Sequence, residues 1–285
     1  MSKLTVKDLI NDSLELVSLP DVIHRINLMV EDPNSSAADI GRLISEDPTL
    51  TVRLLKVVNS PMFGFPSRID TISMAITILG TRQLRDLVLA TAVVGEFNNL
   101  TDEVVDMETF WCHSICTAVA ARTISQHLKT NNSERFFVAG LLHDIGKLVM
   151  YITHPDASHQ VIELSAEPGI DQSSVEISIF GFSHEDVSAE LLNQWQLPES
   201  LVEPVRYHHH PIRATHFPTE TAVVHIADAI ANNIQTPLSL DDDNLVQDIS
   251  WSILDLDPDM LERIHEEVYE ILDGSLQVLF YEQVA

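Results

Sequence analysis

Apolar positions along this chain recur at helical spacing, and no stretch alternates apolar and polar residues as a half-buried strand would. Ser36-Ala37-Ala38-Asp39 reads as a capping box that opens a short helix carrying Ile40, Leu43 and Ile44. Asp47-Pro48 reads as the N-cap and first position of the next helix, which carries Leu50, Val52, Leu54, Leu55 and Val58 and stops at Asn59-Ser60-Pro61. Thr71 to Leu79 is predicted helical and closed by Gly80. A long apolar helix follows from Thr81 through Leu84, Leu87, Val88, Val93 and Val94. After Asn98-Asn99-Leu100-Thr101 the chain turns acidic, and further helices are predicted. They run from about Glu108 to His127, from Ser133 through Leu141-Leu142-His143-Asp144, and from Ser183 to near Trp195. Three more run from Pro198 to His208-His209-His210-Pro211, from Thr219 or Thr221 across His225 and Asp228, and from about Pro258 to Leu272. Asp241-Asp242-Asp243-Asn244 reads as a polar break. The pattern predicts an all-α protein, with an N-terminal helical bundle over residues 1–100 packed on a second helical domain over residues 101–285. No internal repeat or low-complexity segment interrupts it.

Composition narrows the partners. Sixteen Lys and Arg face 43 Asp and Glu, a formal net charge of −27. A field of that sign repels phosphate backbones and anionic lipid heads, which argues against nucleic acid and against a membrane surface. A phosphorylated small molecule would need metal ions or a few placed cations. No apolar run is expected to approach the roughly 20 residues that span a bilayer, and the first residues show no signal-peptide core. Cys112 and Cys116 are too few for a disulfide framework. They read as small packing residues, and a cytoplasmic location is expected.

Seven positions stand out as candidate metal ligands: His113, His143, Asp144, His184, His208, His209 and Asp228. A lone histidine or aspartate carries little information. The adjacent His143-Asp144 pair carries more, because it ends the apolar run Phe136-Phe137-Val138-Ala139-Gly140-Leu141-Leu142. Two ionisable groups there face a desolvation cost unless they are paired or metal-bound. If both sit on a helix, they point about 100° apart, so one can ligate while the other reaches across. Imidazole and carboxylate together suit Fe, Mn, Ni or Zn, as one ion or two.

His113, His143-Asp144 and Asp228 together resemble the H…HD…D signature of the HD superfamily, helical metal-dependent phosphohydrolases. His184 and His208-His209 resemble the longer set of the HD-GYP cyclic-dinucleotide phosphodiesterases. Leu19-Pro20-Asp21-Val22, Ser45-Glu46-Asp47-Pro48-Thr49-Leu50, Val58-Asn59-Ser60-Pro61-Met62-Phe63-Gly64 and Ala75-Ile76-Thr77-Ile78-Leu79-Gly80 resemble segments of the HDOD family. So do Trp195-Gln196-Leu197-Pro198-Glu199 and Arg206-Tyr207-His208-His209, and the likeness runs from about residue 14 to 235. It implies an HDOD domain, a regulatory output module in a bacterial signalling pathway with protein partners. After His209 the chain reads His210-Pro211-Ile212-Arg213, without the acidic residue and Gly-Tyr-Pro stretch of HD-GYP enzymes. Cyclic-di-GMP hydrolysis is therefore not expected.

Two functions compete. One is a regulatory module with a retained metal site, for which Met62-Phe63-Gly64-Phe65-Pro66 offers a candidate contact, although buried packing is the preferred reading of that loop. The other is a metal-dependent phosphohydrolase acting on a nucleotide or phosphate ester. In that case Asp144 and Lys147 carry the chemistry, Asp144 on the metal and Lys147 on a phosphate. Arg206 and Arg213 read mainly as surface residues, and His210 and His225 as neighbours of the set. His24, His127, His154, His159, His216 and His265 read as structural or exposed.

Overall fold

A computed structural model describes residues 4–13, 21–97, 104–130, 132–167, 169–235, 246, 248–257, 259–276 and 278. Every regular element among them is helical. The expected domain boundary near residue 100, Leu19-Pro20, the polar break at 241–244 and Pro258 lie outside the described residues.

The first half contains α1 (Val6–Ser13), α2 (Asp21–Glu31), α3 (Ala37–Ser45), α4 (Pro48–Val58), α5 (Ile72–Leu79) and α6 (Thr81–Phe97). The predicted caps form. Asp39 N–H donates to Ser36 Oγ while the Ser36 N–H donates to the Asp39 carboxylate, both at 3.2 Å. Leu50 N–H donates to Asp47 Oδ1 at 3.0 Å, and Met74 N–H to Thr71 Oγ1 at 3.1 Å. Each satisfies an N–H that has no partner within its own helix.

The second half contains α7 (Met107–His127), α8 (Ser133–Leu142), α9 (Ile145–Thr153), α10 (Pro155–Ser165), α11 (Gln172–Ile179) and α12 (His184–Gln194). It continues with α13 (Glu199–Tyr207), α14 (Pro218–Gln235), α15 (Asp248–Leu254) and α16 (Met260–Leu276). Helix α7 is the central post. It is buried from Ser114 to Ser125 and packs against α8, α14 and α16. Small residues allow the closest of these approaches: a Cβ on Gly140 of α8 would fall 2.8 Å from the Thr117 carbonyl of α7. That contact lies one turn from His113 and one turn from His143. One continuous apolar core runs through both halves, α6 packs on α8, and α1 packs on α9 and α12.

Of three expectations, the first is kept and the other two are corrected. First, Met62 and Phe63 are buried, which is the preferred reading of that loop. Arg122 reaches across from α7, donates from Nη1 to the Met62 carbonyl at 2.6 Å, and lies 4.7 Å over the Phe63 ring. A cation–π contact and a satisfied carbonyl explain why that aromatic turns inward. Second, Ser133–Thr153 is a 21-residue stretch long and apolar enough by composition to cross a membrane. It is mostly buried within the protein and is broken at its middle by His143 and Asp144. Third, that pair is not inside a helix. Helix α8 ends at Leu142 and α9 begins at Ile145.

The break has a local cause. The Ser188 hydroxyl of α12 donates to the His143 carbonyl at 3.0 Å and accepts from the Gly146 N–H at 2.8 Å. The Lys147 N–H bonds instead to the Asp144 carbonyl at 2.9 Å. A side chain inserted into the hydrogen-bond ladder interrupts it. Only glycine fits at 146, since a Cβ there would fall 2.3 Å from the His184 carbonyl and 2.6 Å from the Ser188 nitrogen.

Candidate metal centre

Five segments deliver the predicted ligands to one place. His113 projects from α7, and His143-Asp144 from the break between α8 and α9. His184 opens α12, His208-His209 follow α13, and Asp228 comes from α14. Asp144 stands between two nests of imidazoles. Its Oδ2 lies 3.4 Å from His143 Nε2 and 3.8 Å from His113 Nε2. Its Oδ1 lies 3.2 Å from His184 Nε2 and 3.7 Å from His208 Nε2. On the first side, His113 Nε2 is 3.2 Å from His143 Nε2 and 3.1 Å from Asp228 Oδ1. On the second, His209 Nδ1 is 3.9 Å from Asp228 Oδ2.

The donor atoms form two sets, His113 with His143 and Asp228, and Asp144 with His184, His208 and His209. Within each set they lie within 4.8 Å of one another. Ligands bound at ~2.1 Å to a shared ion sit roughly 3.0–3.4 Å apart at ordinary coordination angles. Of the separations between His113, His143 and Asp228, two fall within that range, at 3.1 and 3.2 Å, and the third lies just above it, at 3.6 Å.

Hydrogen bonds behind the rings decide which nitrogen faces inward. His143 Nδ1 lies 2.7 Å from the Gly140 carbonyl, and His208 Nδ1 lies 2.7 Å from the Val205 carbonyl. A carbonyl oxygen can only accept, so Nδ1 carries the hydrogen in both rings and Nε2 points to the centre. His184 Nδ1 donates at 2.7 Å to Glu176 Oε2, with the same result. Such partners fix ring orientation and raise the basicity of the inward nitrogen. The outcome is a set of buried atoms that need a cation. No hydrogen bond ends on Asp144 Oδ1, His184 Nε2 or His208 Nε2.

Charge gives the same answer. Asp144, Asp228, Glu176 and Glu185 are all buried here, against a single lysine, Lys147. Burial opposes ionisation of Asp144, yet the His143 and Lys147 charges outweigh it and hold its carboxyl well below the usual range. Asp228 is held low in the same way, by its contacts with His113 and His143. Burial also works against a charged His143, but Asp144 and then Asp228 lift it to about 9. His184 is lifted, against burial, to about 10 by Glu176 and Glu185. Burial and neighbouring imidazoles push His208 well down, and burial takes His209 down to about 4. Without an ion, protons must supply the missing positive charge. A divalent ion supplies it at the same atoms, so the residues present fit a metal.

Lys147 is held inside the centre. Its Nζ donates to Asp144 Oδ2 at 2.6 Å, and its side chain is largely buried beside Tyr151.

The model of the HDOD domain family matches residues 16–211. This chain is an HDOD protein. An HDOD domain protein of unknown function from Geobacter sulfurreducens shares 25% identity and superposes with a TM-score of 0.77, over 95% of this chain and 97% of that one. A Shewanella amazonensis SB2B protein provisionally described as a phosphohydrolase shares 24% identity, with a TM-score of 0.75 over 97% and 98% of the two chains. At that identity the likeness speaks for the fold. An uncharacterized Treponema pallidum (strain Nichols) protein is 29% identical over 210 residues, 72% of this chain. The chain spans 39% of that relative's length.

Three polar residues of this HDOD centre escape a ligand search by residue type. Glu176 of α11 accepts from both the backbone N–H and Nδ1 of His184, each at 2.7 Å. Glu185 lies 3.6 Å from the same Nδ1 and accepts from Ser173 Oγ at 3.0 Å. Ser188 sets the break at His143. A buried glutamate on a short, weakly amphipathic helix leaves no mark in the apolar pattern, which is why α11 itself goes unpredicted. His225 has a defined place, donating from Nδ1 to the His208 carbonyl at 2.7 Å. His127 pairs at 2.9 Å with Glu267, joining α7 to α16. Arg206 stays near the surface, 3.8 Å from Asp186, and Arg213 is exposed.

Proposed function

We propose that this HDOD chain is a bacterial regulatory module whose helical core closes around a divalent metal centre, read out by partner proteins. One observation carries the metal reading. Asp144 Oδ1, His184 Nε2 and His208 Nε2 are buried, aimed at one another and without hydrogen bonds. His143, His113 and Asp228 with Asp144 would hold one ion. His184, His208 and His209 with Asp144 would hold a second. The N/O donor set suits Fe, Mn, Ni or Zn. Because five segments supply the ligands, an ion there ties α7, α8, α12, α13 and α14 together and couples binding to folding. The charge of −27 favours protein partners over nucleic acid.

A second reading is a metal-dependent phosphohydrolase acting on a nucleotide or phosphate ester. The observation favouring it is Lys147, a cation held 2.6 Å from Asp144 and able to meet a phosphate at the same centre. The His113 and His209 side chains also keep 12% and 30% of their surface open. A bound ion would supply Lewis-acid polarisation and a water of lowered pKa. The protein's own part would be to orient the phosphoryl group through Lys147 and to keep the imidazoles in one tautomer.

The deciding experiment compares wild type with the His143→Ala, Asp144→Ala double variant, with Mn, Fe, Ni or Zn present. Lower thermal stability of the double variant and no hydrolysis by either protein supports the regulatory module. Robust turnover of nucleotides or phosphate esters by wild type that vanishes in the variant establishes the hydrolase instead.

A further inference from the structure

Helices α2, α4 and α6 enclose a cleft of about 230 Å³, on the N-terminal helices that contribute no ligand to the metal centre. Val22, Ile23, Leu50 and Ala92 form its apolar wall, and Asp47, Arg53 and Glu96 supply its charges. The arrangement of those charges is unusual for this protein. The other arginines that are not exposed each reach a carboxylate within 4 Å: Arg85 meets Asp86 at 2.8 Å, Arg122 meets Glu134 at 3.7 Å, Arg135 meets Glu220 at 2.9 Å and Arg206 meets Asp186 at 3.8 Å. Arg53 is half-buried, shares its cleft with two carboxylates, and pairs with neither.

Local structure keeps them apart. Asp47 is held at the start of α4 by the bond it accepts from Leu50 N–H at 3.0 Å. Arg53 lies against α6 at Gly95, where a Cβ would fall 2.0 Å from Nη1. Gly95 lies in the last turn of α6, and the absence of a side chain there leaves room for the guanidinium.

We infer that this cleft binds a free α-amino acid with an apolar side chain. The Arg53 fork matches a carboxylate through two parallel N–H bonds. Asp47 and Glu96 suit the ammonium group, and the Val22–Ile23–Leu50–Ala92 wall suits the side chain. An anion alone, such as phosphate, is disfavoured, because Arg53 is the one basic lining residue against two carboxylates. The ligand must bring a positive charge with its negative one. Size agrees, since the cleft is smaller than the ~300–1,000 Å³ of sites for drug-sized molecules.

The test is calorimetric titration of the full chain with L-leucine, L-valine and L-methionine, and with N-acetyl-L-leucine and L-leucinamide. At least one free amino acid is expected to bind, and each blocked leucine to bind about tenfold more weakly or worse than leucine. Arg53→Gln is expected to lower affinity by a similar factor. Gly95→Ala keeps the charge but displaces the guanidinium, and alanine is the better helix former. It is expected to lose binding without losing thermal stability. No binding of any of the three amino acids overturns the inference. So does unchanged affinity in Arg53→Gln, or N-acetyl-leucine binding as well as leucine.

Discussion

Changing Glu176 to glutamine is expected to weaken divalent-metal binding about 10–100-fold while the helices stay folded. Glu176 touches no metal position directly. Its Oε2 accepts two bonds from His184, from the backbone N–H and from Nδ1, each at 2.7 Å. As a carboxylate it makes both charge-assisted, worth about 1.5–3 kcal/mol each against roughly 0.5–1.5 for neutral ones. Glutamine keeps the shape and can still accept, so the loss is the charge-assisted part, about 1–3 kcal/mol. A tenfold change in affinity is about 1.4 kcal/mol, so that loss corresponds to roughly 5–150-fold, which spans the expected weakening. The assay is competition against a chromophoric chelator, with far-ultraviolet dichroism to confirm that the variant is folded. A folded Glu176→Gln protein with affinity within about twofold of wild type would refute the reasoning, because His184 would then not depend on its carboxylate partner.

Other consequences follow from the same geometry. Metal binding at pH 7 should release about two protons, one each from His143 and His184, which stand at about 9 and about 10 without an ion. Calorimetry in buffers of different ionisation enthalpy counts them. Both values are raised above the ordinary 6.5, so in chelator-treated protein their stabilisation is complete below that pH and is lost as pH rises through 9 and 10. The melting temperature of that form should fall across this window. Ser188→Ala leaves the buried Gly146 N–H without its acceptor and is expected to cost about 1–3 kcal/mol, read from denaturant midpoints. Cyclic-di-GMP should not be hydrolysed, which a product assay with metals present can check.

Much of the fold was legible because caps and apolar spacing are local signals. Ser36, Asp47 and Thr71 start their helices where their side chains can accept backbone N–H groups, and such choices are written in neighbouring residues. The convergence of the candidate side chains could be expected from residue type and from resemblance, since histidine and aspartate at the end of an apolar run need partners. What stayed hidden depends on contacts between distant segments. The break at His143-Asp144 comes from a serine 45 residues away, inserted into the backbone ladder. The partner that holds Phe63 inward, Arg122, lies on a helix of the other half. The helix carrying Glu176 exposes Ile177, and Ile170 just before it is exposed as well, so the amphipathic signal there is faint.

The central claim is that these buried imidazoles and carboxylates bind a divalent ion. The most direct measurement is elemental analysis of the full chain after incubation with Mn, Fe, Ni or Zn and removal of unbound metal, beside the His143→Ala, Asp144→Ala variant. The geometry predicts about one or two ions per wild-type chain and loss of that stoichiometry in the double variant. Wild-type protein that retains no more of any of the four metals than the variant would contradict it.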